Sequence, residues 1–186
     1  MSKTTIPTGG ITDATIATGD IADSAVTVAK TSGVGITSAA IFRLSSGFTG
    51  AGVITSNWEA ADTDDSGSIG SIVSQSSGIF SFSATGIYLI HFQVGMYQDS
   101  DQRLLQIQIQ STPDNSTYDE AATGYTFLND MSDSSYSTAQ TQFMFDCADT
   151  SNDKIRFYTG AASGTTNIGD TNANKTFASF VRLGDT

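Results

Sequence analysis

The 186-residue chain has little cysteine, histidine or basic charge, and each shortage excludes a class of protein. Its single cysteine, Cys147, cannot form a disulfide within the chain, so the fold must be stable without one and suits a reducing compartment. Its single histidine, His91, cannot build a two-histidine metal site within one chain. Eight Lys and Arg stand against 19 Asp and Glu, and the resulting net charge of −11 disfavours nucleic acid as a partner.

Long apolar runs are missing as well. No uninterrupted apolar segment approaches the ~18 residues that a membrane-spanning helix needs, so we expect no membrane insertion. The opening residues, 1–7, contain no apolar segment of the kind found in signal peptides. We therefore do not expect a Sec-exported precursor.

Serine, threonine and glycine dominate the composition, with 25, 26 and 18 residues. Strong helix formers are scarce, because the whole chain has six Leu, four Lys and two Glu. Apolar residues still make up 38% of the sequence, which is enough for one domain to bury a core. The composition predicts an all-β protein with one globular domain and an additional arm.

The first 38 residues carry a five-residue apolar repeat. Its large apolar side chains are Ile6, Ile11, Ile16, Ile21 and Val26. Neither a helix, with a period of 3.6, nor a half-buried strand, with a period of 2, has that spacing. We predict an extended trimerisation and attachment arm over residues 1–38, in which three copies share their apolar side chains. A pentapeptide-repeat β-helix and a flexible linker are the alternatives.

Part of this arm resembles the arms of tailed-phage fibre and virion proteins. The segment Thr18-Gly-Asp-Ile-Ala-Asp-Ser-Ala-Val-Thr-Val-Ala-Lys30 contains their Ile-x-Asp-x-x-Val-Thr-x-x-Lys pattern, which leads there into a C-terminal head. The resemblance implies a virion component that is made in the host cytoplasm and has capsid or tail proteins as partners.

Residues 39–186 change to the alternation of apolar and polar residues that is typical of β-strands. One run predicts a ten-residue strand with an inward face of Tyr88, Ile90, Phe92, Val94 and Met96. Ile87 and Leu89 mark the start of this strand as buried on both sides. Residues 103–110 predict the next strand of an antiparallel meander, with Leu105, Ile107 and Ile109 inward and Gln106, Gln108 and Gln110 outward. Further strands are expected at residues 40–44, 52–58, 68–74, 125–128, 136–145, 154–158 and 176–183, and their number indicates a sandwich or jelly roll.

Three segments of this region resemble the C1q/TNF-like jelly roll and come in that family's order. They are the Gly78-x-Phe80 to Gly86-x-Tyr88 signature, the strand Asp153-Lys-Ile-Arg-Phe157 and the closing strand over residues 176–183. Ser179 stands where the family often has glycine, and the five-residue arm replaces a collagen-like stalk. The resemblance implies an antiparallel jelly-roll head over residues 39–186 that forms a homotrimer, and it implies no particular chemistry.

One segment, Asp62-Thr-Asp64-Asp-Ser66-Gly67-Ser-Ile69, has the residue order of a calcium loop. Asp62, Asp64 and Ser66 occupy the first, third and fifth ligand positions, and glycine occupies the sixth. The twelfth position should carry a bidentate glutamate, but it is Val73. We expect an Asx-rich turn, with a weak calcium site only if another loop or subunit completes the ligands, and no other cofactor.

The remaining reactive side chains do not predict catalysis. His91 falls on the outward face of its strand, as a surface or subunit-interface histidine would. Cys147 has no basic neighbour in the sequence to lower its pKa, which favours an inert buried thiol. No Gly-x-Ser-x-Gly motif occurs, and the only glutamates, Glu59 and Glu120, do not suggest a glycosidase pair.

We therefore predict a non-enzymatic, homotrimeric structural protein of a tailed phage, either a capsid decoration protein or a short fibre. Two alternatives remain, a receptor-binding fibre tip that recognises a host surface glycan and a bacterial surface adhesin. The side chains that would serve a glycan are four loop tyrosines beside Asp and Asn, namely Tyr97, Tyr118, Tyr125 and Tyr136.

Overall fold

The structure is a computed structural model that describes residues 21, 35–63, 65–129 and 131–186. The chain divides into two units, Met1–Gly35 and Ile36–Thr186. Four residues of the apolar repeat, Ile6, Ile11, Ile16 and Val26, lie outside the described residues. The fifth, Ile21, is described and is exposed. The arm therefore stays a prediction, and the fold described below is that of the second unit.

The described residues form thirteen β-strands and no helix, which confirms the all-β prediction. None of them accordingly belongs to a helix that could cross a membrane. The strands are β1 (Ala39–Leu44), β2 (Ser46–Thr49), β3 (Gly52–Val53), β4 (Trp58–Ala60), β5 (Val73–Ser76), β6 (Ile79–Phe82), β7 (Gly86–Gln98), β8 (Gln102–Thr112), β9 (Asp119–Leu128), β10 (Ser135–Cys147), β11 (Lys154–Thr159), β12 (Thr166–Asp170) and β13 (Phe177–Gly184).

The strands form two antiparallel sheets that enclose one core. The first, the β7 sheet, has the order β4-β1-β13-β7-β10. Strand β12 pairs with the C-terminal end of β7, past the residues of β7 that pair with β13. Its other edge pairs with β2. The second, the β8 sheet, has the order β5-β6-β11-β8-β9, and β3 pairs with β11. Side chains from both sheets fill the space between them, which is the arrangement of a β-sandwich.

The core follows from the alternation in the sequence. All five predicted inward residues of β7 and all three of β8 are fully buried. At the centre, the ring of Phe80 lies 5.2 Å from Trp58, 5.1 Å from Phe157 and 5.3 Å from Phe42, measured between ring centroids. Each such side chain contributes roughly 1.5–3 kcal/mol by leaving water, and edge-to-face rings add to that. The predicted buried faces of both strands are confirmed.

The two signature glycines occupy positions that no other residue fits. Gly78 has a φ of +77° in the turn between β5 and β6, and a Cβ there would overlap the carbonyl oxygen of Ile54. Gly86 has a φ of +145°, and a Cβ there would overlap Gly184. Two residues on, Tyr88 is fully buried and donates its hydroxyl hydrogen to the carbonyl oxygen of Ala84 at 2.8 Å. Turn geometry and burial together therefore explain the Gly-x-aromatic spacing.

The predicted meander is wrong. Strand β8 does not pair with β7 but crosses to the other sheet, where it lies between β11 and β9. Both strands have one apolar face, and alternation determines which side chains are buried without identifying the partner strand. A three-residue connection, residues 99–101, carries the chain from one sheet to the other.

Several predicted strand limits are also wrong. Residues 52–58 are not one strand, because β3 and β4 belong to different sheets and Asn57 between them has a φ of +64°. The strand expected at 68–74 begins only at Val73, and β9 reaches back to Asp119. Strands β2 and β12 were not predicted, because Gly47 and Gly169 interrupt their apolar pattern. The expected strands at 40–44, 136–145, 154–158 and 176–183 agree with β1, β10, β11 and β13 to within two residues at each end.

Candidate interaction surface

The outward face of the β7 sheet carries apolar side chains where a solvated face would carry polar ones. The register aligns Ala39, Val181, Leu89 and Met144 into one row across β1, β13, β7 and β10. Met144 is 62% exposed, and Leu89 and Val181 are partly exposed. Ile41 and Ile87 lie on the same face, one row to either side. We call Ile41, Ile87, Leu89, Met144 and Val181 the apolar face patch.

His91 lies in the row beside this patch, between Ser179 of β13 and Gln142 of β10. It is partly exposed, on the opposite side of β7 from the buried core residues, as the alternation predicts. Its Nε2 lies 3.4 Å from Oε1 of Gln140, and its ring lies 5.5 Å from that of Phe177. An amide and a phenyl ring do not activate an imidazole as a base, so the geometry fits a face residue.

Arg43 has the same parity as the outward face but is only 1% exposed, because the segment after β4 covers it. Its Nε donates to Oε1 of Glu59, its Nη1 to Oγ1 of Thr63 and its Nη2 to Oδ1 of Asp62, each at 2.8 Å. Oε1 of Glu59 also accepts a hydrogen bond from Oγ1 of Thr171 at 2.8 Å. Hydrogen bonding to Arg43, and next to Thr171, lowers the pKa of Glu59 from its usual value. The buried guanidinium thus ties β1 to β4 and to the loop after it, and Glu59 extends the network to Thr171.

The predicted calcium ligands are only partly described. Asp62 places its carboxylate on Arg43, and the backbone N–H of Ser66 donates to the carbonyl of Thr63 at 3.0 Å, as in a turn. Asp64 lies outside the described residues. Within the described part of the chain, no group of three or more His, Cys, Asp and Glu could hold a metal ion. The weak calcium site stays a prediction, in which a cation would compete with the guanidinium for Asp62.

Cys147 ends β10 opposite Gly86 and is fully buried. Burial raises the pKa of its thiol to about 11, with a smaller contribution from the nearby Asp153 carboxylate. The thiolate fraction at neutral pH is therefore very small, and the geometry fits the inert thiol that the sequence predicts.

The four candidate tyrosines do not come together in one site. Tyr97 and Tyr136 lie opposite each other on β7 and β10, with ring centroids 5.4 Å apart. Tyr125 is exposed on the β8 sheet. Tyr118 lies under the guanidinium of Arg156, whose central carbon is 4.1 Å from the ring centroid.

Sequence reasoning missed a cavity of about 350 Å³ where the chain passes from β9 to β10. Phe127 and Met131 line it together with Tyr136, and Asn129, Asp133 and Ser135 add polar groups. The signal in the sequence was a large apolar residue, Met131, inside an otherwise polar loop.

Solved structures with the same fold include murine APRIL at pH 5.0, which is 16% identical, with a TM-score of 0.57 over 78% of this chain and 98% of that chain. Murine APRIL at pH 8.5 has the same identity and coverage with a TM-score of 0.56. Eiger TNF from S. frugiperda is 13% identical, with a TM-score of 0.54 over 80% of this chain and 93% of that one. No protein-family model and no curated protein matches the chain. At these identities the likeness shows the fold alone, and the chain has a TNF-like jelly-roll fold, as the sequence predicts.

Proposed function

We propose that the chain is a homotrimeric structural or binding protein without enzymatic activity, whose subunits associate through the outward face of the β7 sheet. The observation that carries this proposal is the apolar face patch, which joins side chains from four strands on one side of the sandwich. Contiguous exposed apolar surface marks an interaction site in a soluble protein. The TNF-like fold and the resemblance seen in the sequence both support a threefold arrangement.

The partial exposure of the patch residues limits how much each can contribute to the free energy of association. Leu89 and Val181 are already partly covered in the single chain, so their further burial contributes less than the ~1.5–3 kcal/mol of a fully buried apolar side chain. Met144 is the most exposed member and has the most area to lose. Stable association therefore depends on several members of the patch at once, with Met144 the most sensitive position.

The test is the mass of the purified chain in solution and its response to Met144→Asp. Because Met144 is exposed in the single chain, a carboxylate there is hydrated and compatible with folding. Buried at a subunit contact, the same carboxylate has no partner, so we expect light scattering to change from three chains to one while the β-rich circular dichroism is kept. Ser74→Asp adds an equal charge on the outward side of the β8 sheet and should remain trimeric. A wild-type monomer at micromolar concentration, or a trimer that tolerates Met144→Asp, would overturn the proposal.

The finer proposal is that this trimer is a tailed-phage virion protein, either a capsid decoration protein or a short fibre. Its support is the sequence of the arm, namely the apolar repeat and the phage-like segment over residues 18–30. The arm would attach three chains to a capsid or tail protein after synthesis in the host cytoplasm, and the head would project. Incubating particles that lack this protein with the full chain, and separately with residues 36–186, tests this assignment. We expect only the full chain to sediment with the particles.

A further inference from the structure

The cavity between β9 and β10, here named the tip groove, combines exposed rings with polar groups. Phe127, Met131 and Tyr136 line it and are 59%, 79% and 69% exposed. Its volume of about 350 Å³ lies at the lower end of the ~300–1,000 Å³ range of small-ligand sites.

Exposed apolar side chains are concentrated at this end of the sandwich. Leu104 and Tyr125 lie on the neighbouring strands β8 and β9, and Tyr125 is two residues from Phe127 on the same side of β9. Together with the three groove residues, they make up half of the ten exposed large apolar side chains in the described part of the chain. Exposed apolar surface concentrated in one place promotes aggregation, and in native proteins it commonly marks a binding site.

Hydrogen bonds and ring packing hold the groove in shape. Oγ of Ser135 donates to the carbonyl oxygen of Asn129 at 2.6 Å, which closes the loop on itself. Oγ of Ser134 donates to Oδ1 of Asp99 at 2.6 Å, which fastens the loop to the connection between β7 and β8. Tyr97 supports the ring of Tyr136 from the adjacent strand. A site shaped before binding avoids much of the entropic cost of ordering its ligand contacts.

We propose that the tip groove binds a neutral saccharide. A pyranose ring presents C–H groups on its face, which stack on an aromatic ring, and hydroxyls on its edge, which need hydrogen-bond partners. Tyr136 and Phe127 supply the rings, and Asn129, Asp133 and Ser135 supply amide, carboxylate and hydroxyl groups. None of the described lining residues is Lys or Arg, and the chain carries a net charge of −11, so acidic sugars are repelled.

The tip groove and the apolar face patch are separate surfaces. Tyr136 and Met144 lie eight residues apart on the outward face of β10, which corresponds to roughly 26 Å along a strand. A trimer formed through the patch therefore leaves room for a ligand at the tip. Saccharide binding goes beyond the proposed trimer, and either can fail without the other.

The test begins with an array of immobilised neutral and acidic oligosaccharides, probed with the full chain. Calorimetry then measures affinity for the soluble neutral oligosaccharide that the array retains best. We expect Tyr136→Ala and Phe127→Ala each to weaken this affinity about tenfold, the loss of one stacked ring, whereas Tyr136→Phe keeps the ring and stays within about threefold of wild type. Ile69→Ala removes an exposed apolar side chain elsewhere and should change nothing. Asp133→Asn should increase the retention of acidic oligosaccharides relative to neutral ones.

Three outcomes would overturn the proposal. They are failure to retain any neutral oligosaccharide, unchanged affinity in Tyr136→Ala, and a preference of the wild-type chain for acidic sugars. Light scattering on the same samples keeps the two proposals apart, because a variant that stays trimeric and loses the saccharide isolates the groove. A Met144→Asp chain that becomes monomeric and still binds the saccharide would support the groove by itself.

Discussion

Replacing Arg43 with methionine removes a buried cation while keeping an unbranched side chain that matches the apolar stem of arginine. In the native chain the guanidinium makes three hydrogen bonds of 2.8 Å, to Glu59, Asp62 and Thr63. Methionine lies along β1 but has no donor, so Glu59 of β4 and the loop that carries Asp62 and Thr63 lose their hydrogen bonds to β1, whereas the hydrogen bond from Thr171 to Glu59 remains. The substitution therefore measures how much this network stabilises the fold.

The exposure of its partners determines the size of the loss. Breaking a fully buried ion pair costs ~3–5 kcal/mol, and a hydrogen bond to a charged group contributes ~1.5–3 kcal/mol. The side chains of Glu59 and Asp62 are 30% and 77% exposed. Water can therefore hydrate the Asp62 carboxylate once the guanidinium is gone. The Arg43–Asp62 pair accordingly contributes only ~0–1 kcal/mol to the free energy of unfolding, as a surface pair does. We expect Arg43→Met to lower the free energy of unfolding by about 2–3 kcal/mol.

The assay is guanidinium chloride unfolding followed by the fluorescence of Trp58, the only tryptophan, which lies in the core. Protein concentration is held constant, because the stability of the proposed trimer would depend on it. Thr63→Val is the matched control, since it removes one neutral partner and should cost about 0.5–1.5 kcal/mol. The ion pairs of Arg43 would not stabilise the fold if Arg43→Met lowered the free energy of unfolding by less than about 0.5 kcal/mol, or by no more than Thr63→Val does.

The same network predicts a dependence on pH. The folded chain holds the pKa of Glu59 below its usual value, so the stabilisation it contributes is fully present above the unfolded pKa of about 4.3. It is lost as the pH falls through the lower, folded pKa. The stability difference between wild type and Arg43→Met should therefore narrow below about pH 4, and a difference that widens there would contradict the assignment.

Four further predictions concern other parts of the chain. Burial raises the pKa of Cys147 to about 11, so a disulfide-exchange reagent at pH 8 should label it only after unfolding, and rapid native labelling would contradict this. Gly78→Ala should lower the unfolding free energy by about 2 kcal/mol or more, because its φ of +77° and a backbone carbonyl exclude a Cβ, whereas Gly67→Ala has open space and should cost less than about 1 kcal/mol. Residues 36–186 alone should give a soluble, β-rich domain that melts cooperatively, and an unfolded product would mean that the arm belongs to the core. Calcium titration should give at most weak binding, and a submicromolar site abolished by Asp64→Ala would refute the turn interpretation.

Alternation predicted the buried faces but not the strand partners. From Tyr88 to Met96 and from Leu105 to Ile109 every second side chain is large and apolar, and each of those residues is buried. Nothing in that pattern distinguishes a hairpin from a crossing between sheets, because either connection buries the same side chains. The correct architecture came instead from the Gly78, Gly86 and Tyr88 signature, where backbone conformation and burial permit few substitutes.

The apolar face patch could not be predicted from one strand at a time. Ile87 and Leu89 were expected to be buried on both sides, and in the single chain they are partly exposed on the outward face. Their neighbours in space, Val181 and Met144, are more than 50 residues away in sequence, and only the register of three strands places them together. The patch is therefore a property of the topology, although an apolar residue at the outward position of a strand was its local signal.

Strand β10 accounts for how one sandwich can present two surfaces of different chemistry. Its outward side chains change along the strand from Tyr136, through Thr138, Gln140 and Gln142, to Met144. The polar stretch between the two ends carries no charge, so it separates the tip groove from the apolar face patch without adding repulsion at a subunit contact. Acidic side chains repel one another when copies of a chain with a net charge of −11 associate. The rows that contain Leu89 and His91 carry no acid, and Asp146 lies opposite Ile87 at the margin of the patch. The scarcity of charge on these two rows, within an acidic protein, favours this face for the self-association that we propose.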